Sequence, residues 1–128
     1  MGTNNPAVTT IGLAMGEKFS EYYVLAPDGE CLGVQVFATD RQVFTTRFES
    51  VDRAQVILEV TPHSAWVIGV LDDLGFEVVI ADPRHVKLIR EKYTRSRQSD
   101  AERLARLGHY LAAHERIDGV DLDEIFAD

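Results

Sequence analysis

The sequence predicts a single α/β domain built on a mixed five-stranded sheet with flanking helices. Alternating apolar and polar residues in the first third of the chain are typical of three antiparallel strands. Two strongly apolar segments follow, and each leads into a stretch with apolar residues at helical spacing. A length of 128 residues with 45% hydrophobic content supports one core and not two.

The antiparallel half of the sheet is predicted from three strands, Val8–Met15, Tyr22–Ala26 and Cys31–Ala38. The tight turn Pro27-Asp28-Gly29-Glu30 joins the last two, because proline presets its own dihedral angle and glycine accepts a positive one. Cys31, the single cysteine, is interpreted as a buried strand residue and not as a reactive one.

The second half of the chain alternates strands with helices. Val56, Ile57 and Leu58 form a continuous apolar run, as expected of a strand that is covered on both faces. Gly75 ends the helix before the last strand, and Pro83 opens the helix after it. The predicted order is a helix from the Asp40 cap to about Ser50, a strand Ala54–Val60, a helix His63–Leu74, a strand Phe76–Ala81, a helix from Pro83 to about Arg90, a loop Thr94–Gln98 and a helix Asp100–Ala113.

Strand–helix–strand units require right-handed crossovers and parallel pairing. A hairpin meander joined to such a parallel half-sheet is the arrangement of the ribonuclease-H-like fold. In that fold, carboxylates at strand ends hold two magnesium ions for phosphodiester chemistry. Glu59 lies at the tip of the fourth predicted strand, one residue before its end, and is the first candidate for this role.

Composition narrows the protein class. No apolar run approaches the length of a bilayer span, and the N-terminus lacks the basic and apolar regions of a secretory signal. One cysteine excludes an internal disulfide and a thiolate metal cluster. A cytoplasmic protein without a membrane partner is therefore expected. The domain is expected at residues 10–113, after a disordered lead at 1–9 and before an acidic tail at 114–128.

Charge is unevenly distributed along the chain. The formal net charge is −8, yet residues 84–106 contain eight basic and three acidic residues, a net +5, which leaves −13 on the rest. One interpretation is a surface that contacts nucleic-acid phosphates. The other is a solvated helix face paired with the acidic remainder of the domain. The candidate nucleic-acid-binding residues are Arg84, Lys87, Arg90, Lys92 and Arg95.

Three stretches together resemble one family: residues 57–67 (ILEVTPHSAWV), 74–84 (LGFEVVIADPR) and 100–107 (DAERLARL). They are similar to the N-terminal RuvC-like domain of the DEDD transposases of bacterial insertion sequences, the Piv-like enzymes whose group includes bridge-RNA-guided recombinases. Residues 11–18 (IGLAMGEK) match the family's first strand, so the resemblance covers about residues 10–113. It implies DNA binding and magnesium-dependent DNA transposition and recombination, with DNA, a structured guide RNA and a second copy of the chain as partners.

The family carries four acidic positions, which the resemblance transfers one residue at a time. Glu59 matches the second and Asp100 the fourth, whereas Ala14 stands at the first and Arg97 at the third. Alanine supplies no oxygen ligand, and arginine places a fixed positive charge where a magnesium ligand belongs. Glu17 is the neighbour that could replace one lost ligand. Glu59 and Asp100 are therefore the catalytic and metal-ligating candidates of a vestigial site at which no magnesium is expected, and whether the chain is an enzyme stays open.

Each surviving carboxylate also has a structural interpretation. Glu59 could pair with Arg97 or with a nearby backbone amide, because a buried carboxylate requires a partner. Asp100 could be an ordinary first-turn residue that the helix dipole favours. His63 and Ser64 are interpreted as helix-start residues, because no third group completes a catalytic triad with them.

The expected function is that of a truncated, degenerate domain of a DEDD-type transposase, without the serine-bearing downstream domain of full-length members. The alternative is a non-catalytic interaction or regulatory module derived from a transposase. A third hypothesis, a phosphate-handling domain of the actin and sugar-kinase type, needs an acidic or glycine-rich loop after the first strand. Ala14-Met15-Gly16-Glu17 matches such a loop poorly.

Overall fold

The helices and strands follow one another in the predicted order along the chain. A computed structural model describes residues 8–92 and 98–114, and these ranges contain five strands and four helices. The strands are β1 (Thr10–Met15), β2 (Phe19–Leu25), β3 (Cys31–Ala38), β4 (Gln55–Leu58) and β5 (Glu77–Ile80). The helices are α1 (Arg41–Glu49), α2 (Ser64–Asp73), α3 (Pro83–Lys92) and α4 (Asp100–His114).

One sheet contains the five strands in the order β3-β2-β1-β4-β5. β2 pairs antiparallel with β1 and β3, whereas β4 pairs parallel with β1 and β5. The predicted meander joined to a parallel half-sheet is therefore confirmed, and with it the α/β, ribonuclease-H-like class. Parallel pairing brings the carboxyl ends of β1 and β4 to the same edge of the sheet, where ligand sites of α/β proteins ordinarily lie.

Apolar side chains cover both faces of the sheet. Under α1 and α2, the rings of Phe44 and Phe48 stack with centroids 4.5 Å apart, and Trp66 meets Phe44 edge-on at 5.4 Å. Phe44 and Phe48 are fully buried, which contributes roughly 1.5–3 kcal/mol for each ring. The core under α3 and α4 on the other face consists of Ile57, Ala81, Val86, Ile89, Leu104 and Leu107.

Some element bounds and burial predictions are wrong. β2 begins at Phe19, earlier than predicted, because the polar residues Ser20 and Glu21 still pair with the end of β1. β4 ends at Leu58 and not at Val60, so Glu59 lies just beyond the strand. Cys31 is exposed, not buried, because it starts a strand at the edge of the sheet.

Several predicted segments lie outside the described residues. They are most of the lead at 1–9, most of the loop at 94–98 and the tail from residue 115 onwards, so the domain bounds 10–113 stay a prediction. Within residues 8–92 and 98–114, no helix combines the length and the apolar character that crossing a bilayer requires.

β1 and α4 approach each other so closely that only glycine fits where they cross. A Cβ atom at Gly12 would overlap the backbone of Ala101 and Ala105 and would lie 2.9 Å from the Cα atom of Ala105. From the helix side, a Cβ atom at Gly108 would lie 2.8 Å from Cγ2 of Ile57. These small residues let α4 lie directly on the sheet, which places the first turn of α4 at the carboxyl end of β1.

Replacing Gly12 with alanine is expected to lower the free energy of unfolding by about 1–3 kcal/mol, because α4 must move away from β1. Urea unfolding followed by circular dichroism measures this change. The matched control is Gly69→Ala in α2, where no atom lies within 4 Å of an added Cβ. There alanine is expected to stabilise the helix by about 0.5–1 kcal/mol. Wild-type stability of Gly12→Ala would contradict the close approach of α4 to β1.

Candidate functional site

The site lies where β1 and β4 end side by side. Their parallel register pairs Leu13 with Leu58, so Ala14 and Glu59 follow as neighbours at the same edge of the sheet. Gly12 lies against α4, and side chains two residues apart in a strand share a face. Ala14 therefore points to the face that α3 and α4 cover, which is also the face on which Glu59 finds its partner.

Arg90 binds the carboxylate of Glu59. Its Nη2 atom donates a hydrogen bond to Glu59 Oε1 over 2.6 Å and lies 3.6 Å from Asp100 Oδ2. The hydrogen bond to Glu59 raises the pKa of Arg90 above its ordinary value, against the opposing effect of partial burial, and the charge of Asp100 adds to the rise. One guanidinium group thus joins the two acidic positions that the sequence singles out.

Two helix ends hold the charged groups of the site. Arg90 lies in the last turn of α3, where a cation interacts favourably with the helix dipole, and Asp100 opens α4, where an anion does. Ser99 caps α4, because its Oγ accepts a hydrogen bond from the backbone N–H of Glu102 over 3.1 Å. The dipoles of both helices therefore favour the charges that Arg90 and Asp100 carry.

A small cavity opens between α3, α4 and the end of β4. Its volume of about 20 Å³ leaves room for roughly one water molecule. Two carboxylates and two guanidinium groups line it, so the formal charges at its wall cancel. The lining residues are Glu59, Val86, Ile89, Arg90, Asp100, Arg103 and Leu104.

The described residues do not fit a two-magnesium centre. Such a centre needs carboxylate oxygens about 2.0–2.1 Å from ions that lie roughly 3.5–4 Å apart. Ala14 supplies no oxygen, and Glu59 and Asp100 share the guanidinium of Arg90. Within residues 8–92 and 98–114, no group of three or more His, Cys, Asp or Glu side chains could hold a metal ion. Arg97, at the third family position, lies outside the described residues.

A carboxylate that sequence reasoning missed lies beside Ala14. Glu21 of β2 is directly opposite Ala14, and opposed residues of paired strands share a face. Glu17, the neighbour suggested by the sequence, is exposed in the turn after β1. Neither glutamate lines the cavity that Glu59 and Asp100 share. In this arrangement, neither glutamate joins Glu59 and Asp100 in a common site.

Arg90 contacts the carboxylate of Glu59. The sequence instead suggested nucleic-acid phosphates as the partner of Arg90, and Arg97 or a backbone amide as the partner of Glu59. The spacing of residues along α3 contains a signal from which this position of Arg90 could have been predicted. Val86, Ile89 and Arg90 follow the pattern i, i+3, i+4, which places them on one side of a helix. Because Val86 and Ile89 are buried against the sheet, Arg90 points toward the sheet edge as well.

The other cations of α3 are divided between ion pairs and solvent. Arg84, with a side chain that is 83% exposed, lies 2.7 Å from Asp82. The hydrogen bond from Arg84 lowers the pKa of Asp82 to about 2. Lys87 is exposed, Lys92 is the last residue of α3, and Arg95 lies outside the described residues. Ion pairs with acidic residues thus account for part of the basic stretch, whereas Lys87 is a cation that faces solvent.

The whole site lies in a region that matches a known protein family. The family model DEDD_Tnp_IS110, described as a transposase, matches residues 11–125. The chain belongs to this transposase family. The predicted kinship with RuvC-like DEDD transposases is thereby confirmed. The Thermus thermophilus RuvC structure is similar to this transposase-family chain, with a TM-score of 0.49 and 17% identity over 88% of this chain and 83% of that chain. No curated protein matches the sequence.

Replacing Arg90 with glutamine is expected to lower the free energy of unfolding by about 1 kcal/mol, because Glu59 loses its cation while both side chains stay partly in water. Urea unfolding at low salt measures the loss. Lys87→Gln removes a charge from the same helix without breaking a described ion pair, and its effect is expected to stay within about 0.5 kcal/mol. Equal losses in the two variants would show that the pair between α3 and Glu59 contributes nothing specific.

Proposed function

We propose that this transposase-family domain binds DNA but does not cut it by itself. The observation that carries the proposal is the guanidinium of Arg90, 2.6 Å from Glu59 and 3.6 Å from Asp100. These are the two acidic family positions that the chain retains. A cation of the protein itself neutralises the carboxylates that would otherwise attract a divalent ion, and Ala14 adds no ligand beside them.

The chemistry of phosphodiester cleavage supports the same proposal. Cleavage requires activation of an attacking oxygen and stabilisation of the charge that develops on the phosphate. A guanidinium can bind a phosphate oxygen, but Arg90 would first have to leave Glu59. Glu59, in turn, already accepts a short charged hydrogen bond from Arg90 at Oε1. The described groups at this edge therefore suit binding better than cleavage.

The outer side of α3 supports DNA as the partner. Arg84 and Lys87 are exposed there, within a stretch of net charge +5 on a chain of net charge −8. Asp82 fixes the start of the helix by accepting a hydrogen bond from the backbone N–H of Arg84 over 2.9 Å. Cations of this kind contact phosphates without regard to sequence, and their binding weakens as salt rises. Membership of a transposase family makes DNA the expected polyanion.

A non-catalytic regulatory module is the second candidate function. The same Arg90 pair favours it, because the pair holds β4, α3 and α4 together without a metal ion. Such a module would compete with an intact transposase for DNA or for assembly. A structured guide RNA and a cytoplasmic location stay predictions of the sequence.

The full chain is expected to leave supercoiled DNA intact in the presence of magnesium, because Arg90 occupies the acidic site. Conversion to the nicked form is followed by agarose electrophoresis. Glu59→Ala serves as the matched control and is expected to give the same result as the wild type. Magnesium-dependent nicking by the wild type that disappears in Glu59→Ala would refute the proposal.

Lys87→Gln is expected to weaken DNA binding by about three- to tenfold and to reduce the slope of log affinity against log salt by about 1. Fluorescence anisotropy with a labelled duplex at several salt concentrations measures both quantities. Arg41→Gln, at the exposed start of α1 on the opposite face of the sheet, is the control and should keep wild-type affinity. A wild-type chain without measurable affinity for DNA would contradict the proposal.

A further inference from the structure

An apolar patch lies open to solvent on the face of the sheet that α4 covers. Gly12 faces α4 and pairs with Tyr23, and Tyr23 pairs with Val34, so these three positions share that face. Alternation along β2 and β3 adds Phe19 and Val36 to it. Phe19, Val34 and Val36 are 65%, 42% and 61% exposed. These three side chains are called the β2–β3 patch below.

α4 covers only part of this face and ends close to the start of β3. It packs on β1, β2 and β4, whereas α1 contacts β3 from the other face, where Phe37 is buried against Phe44. Near its end α4 passes the turn between β2 and β3, since a Cβ atom at Gly29 would lie 3.7 Å from Nε2 of His109. α4 ends at His114, about 7.5 Å further along its axis. The chain therefore leaves α4 near the turn from which β3 starts.

The sequence that follows α4 has an apolar pattern that suits this patch. Residues 115–128 lie outside the described residues, and their sequence is acidic apart from a few apolar positions. Leu122, Ile125 and Phe126 follow the spacing i, i+3, i+4, which puts three side chains on one side of a helix. One turn of such a helix presents a compact apolar surface, and its acidic residues are left for the side that faces water.

The segment 115–128 is long enough to reach the whole patch. From Cys31 to Val36, β3 rises roughly 17 Å, and the overshoot of α4 adds about 7.5 Å. Four extended residues followed by ten helical ones span about 28 Å. The fourteen residues of the segment can therefore return along β3 as far as Val36.

We propose that the chain's own segment 115–128 docks on the β2–β3 patch, with Leu122, Ile125 and Phe126 against it. The proposal goes beyond DNA binding and does not depend on it. The match to the transposase family model continues past the end of α4 to residue 125, which supports a place for this segment within the domain. Docking would extend the domain beyond residue 113, the bound that the sequence predicts.

The size of the patch favours a tethered segment over a separate protein. A stable interface between two proteins buries about 800 Å² on each partner, whereas exposed apolar patches of a few hundred Å² are ordinary on monomers. Three partly exposed side chains belong to the smaller class. A segment of the same chain loses less translational and rotational freedom on docking, and a short linker gives it an effective concentration in the millimolar range. A patch that is too small to hold a second protein by itself can therefore hold this segment.

The rate at which iodoacetamide, a small neutral reagent, labels single cysteines in the full chain tests whether the patch is covered. In a Cys31→Ser background, Val34→Cys is compared with Ile80→Cys on β5, because the described residues leave Val34 and Ile80 almost equally exposed, at 42% and 43%. Ile125→Ser and Phe126→Ser are then added together to each variant. With these two serines, Val34→Cys is expected to react at least about tenfold faster, whereas the rate of Ile80→Cys is expected to change less than about twofold.

Val36→Cys supplies the same readout at a second position of the patch, and circular dichroism verifies that each variant is folded. Labelling of both patch cysteines at the same rate with and without the two serines would overturn the proposal. Protection that grows with protein concentration would overturn it as well, because a second copy of the chain would then cover the patch. Protection that is independent of concentration and is lost with the two serines is the result expected of the chain's own segment.

Discussion

The parallel pairing of β1 with β4 is the constraint on which the site depends. It ends both strands at one edge and places Ala14 next to Glu59. Gly12, two residues before Ala14, lets α4 lie on β1, and this contact brings Asp100 to the same edge. α3 then needs only its last turn to reach both carboxylates. Backbone contacts thus bring Ala14, Glu59 and Asp100 together at this edge of the sheet.

A guanidinium between two carboxylates provides the charge balance at this site. A partly buried carboxylate is costly without a cation, whether the cation is a metal or a side chain. Arg90 meets this requirement from within the chain, and the dipoles of α3 and α4 favour its charge and that of Asp100. The same arrangement directs Arg90 toward two carboxylates and leaves Lys87 and Arg84 as the outward cations of α3. The ion pairs that neutralise Glu59 and Asp100 therefore also determine which cations of α3 face outward.

The two edges of the sheet differ in the way they are protected. β5 is four residues long, and its first residue, Glu77, carries a charge. β3 is twice as long and neutral, and it exposes an apolar stripe on the face that α4 leaves open.

The sequence by itself determined the order of elements, the mixed sheet and the family. Apolar periodicity, turn residues and motif spacing are local properties, and they remain readable without coordinates. Tertiary structure alone decided the partner of Glu59, because Arg90 is 31 residues away and reaches it through the packing of α3 against the sheet. It likewise decided the exposure of Cys31, since a strand pattern does not tell which strand lies at the edge.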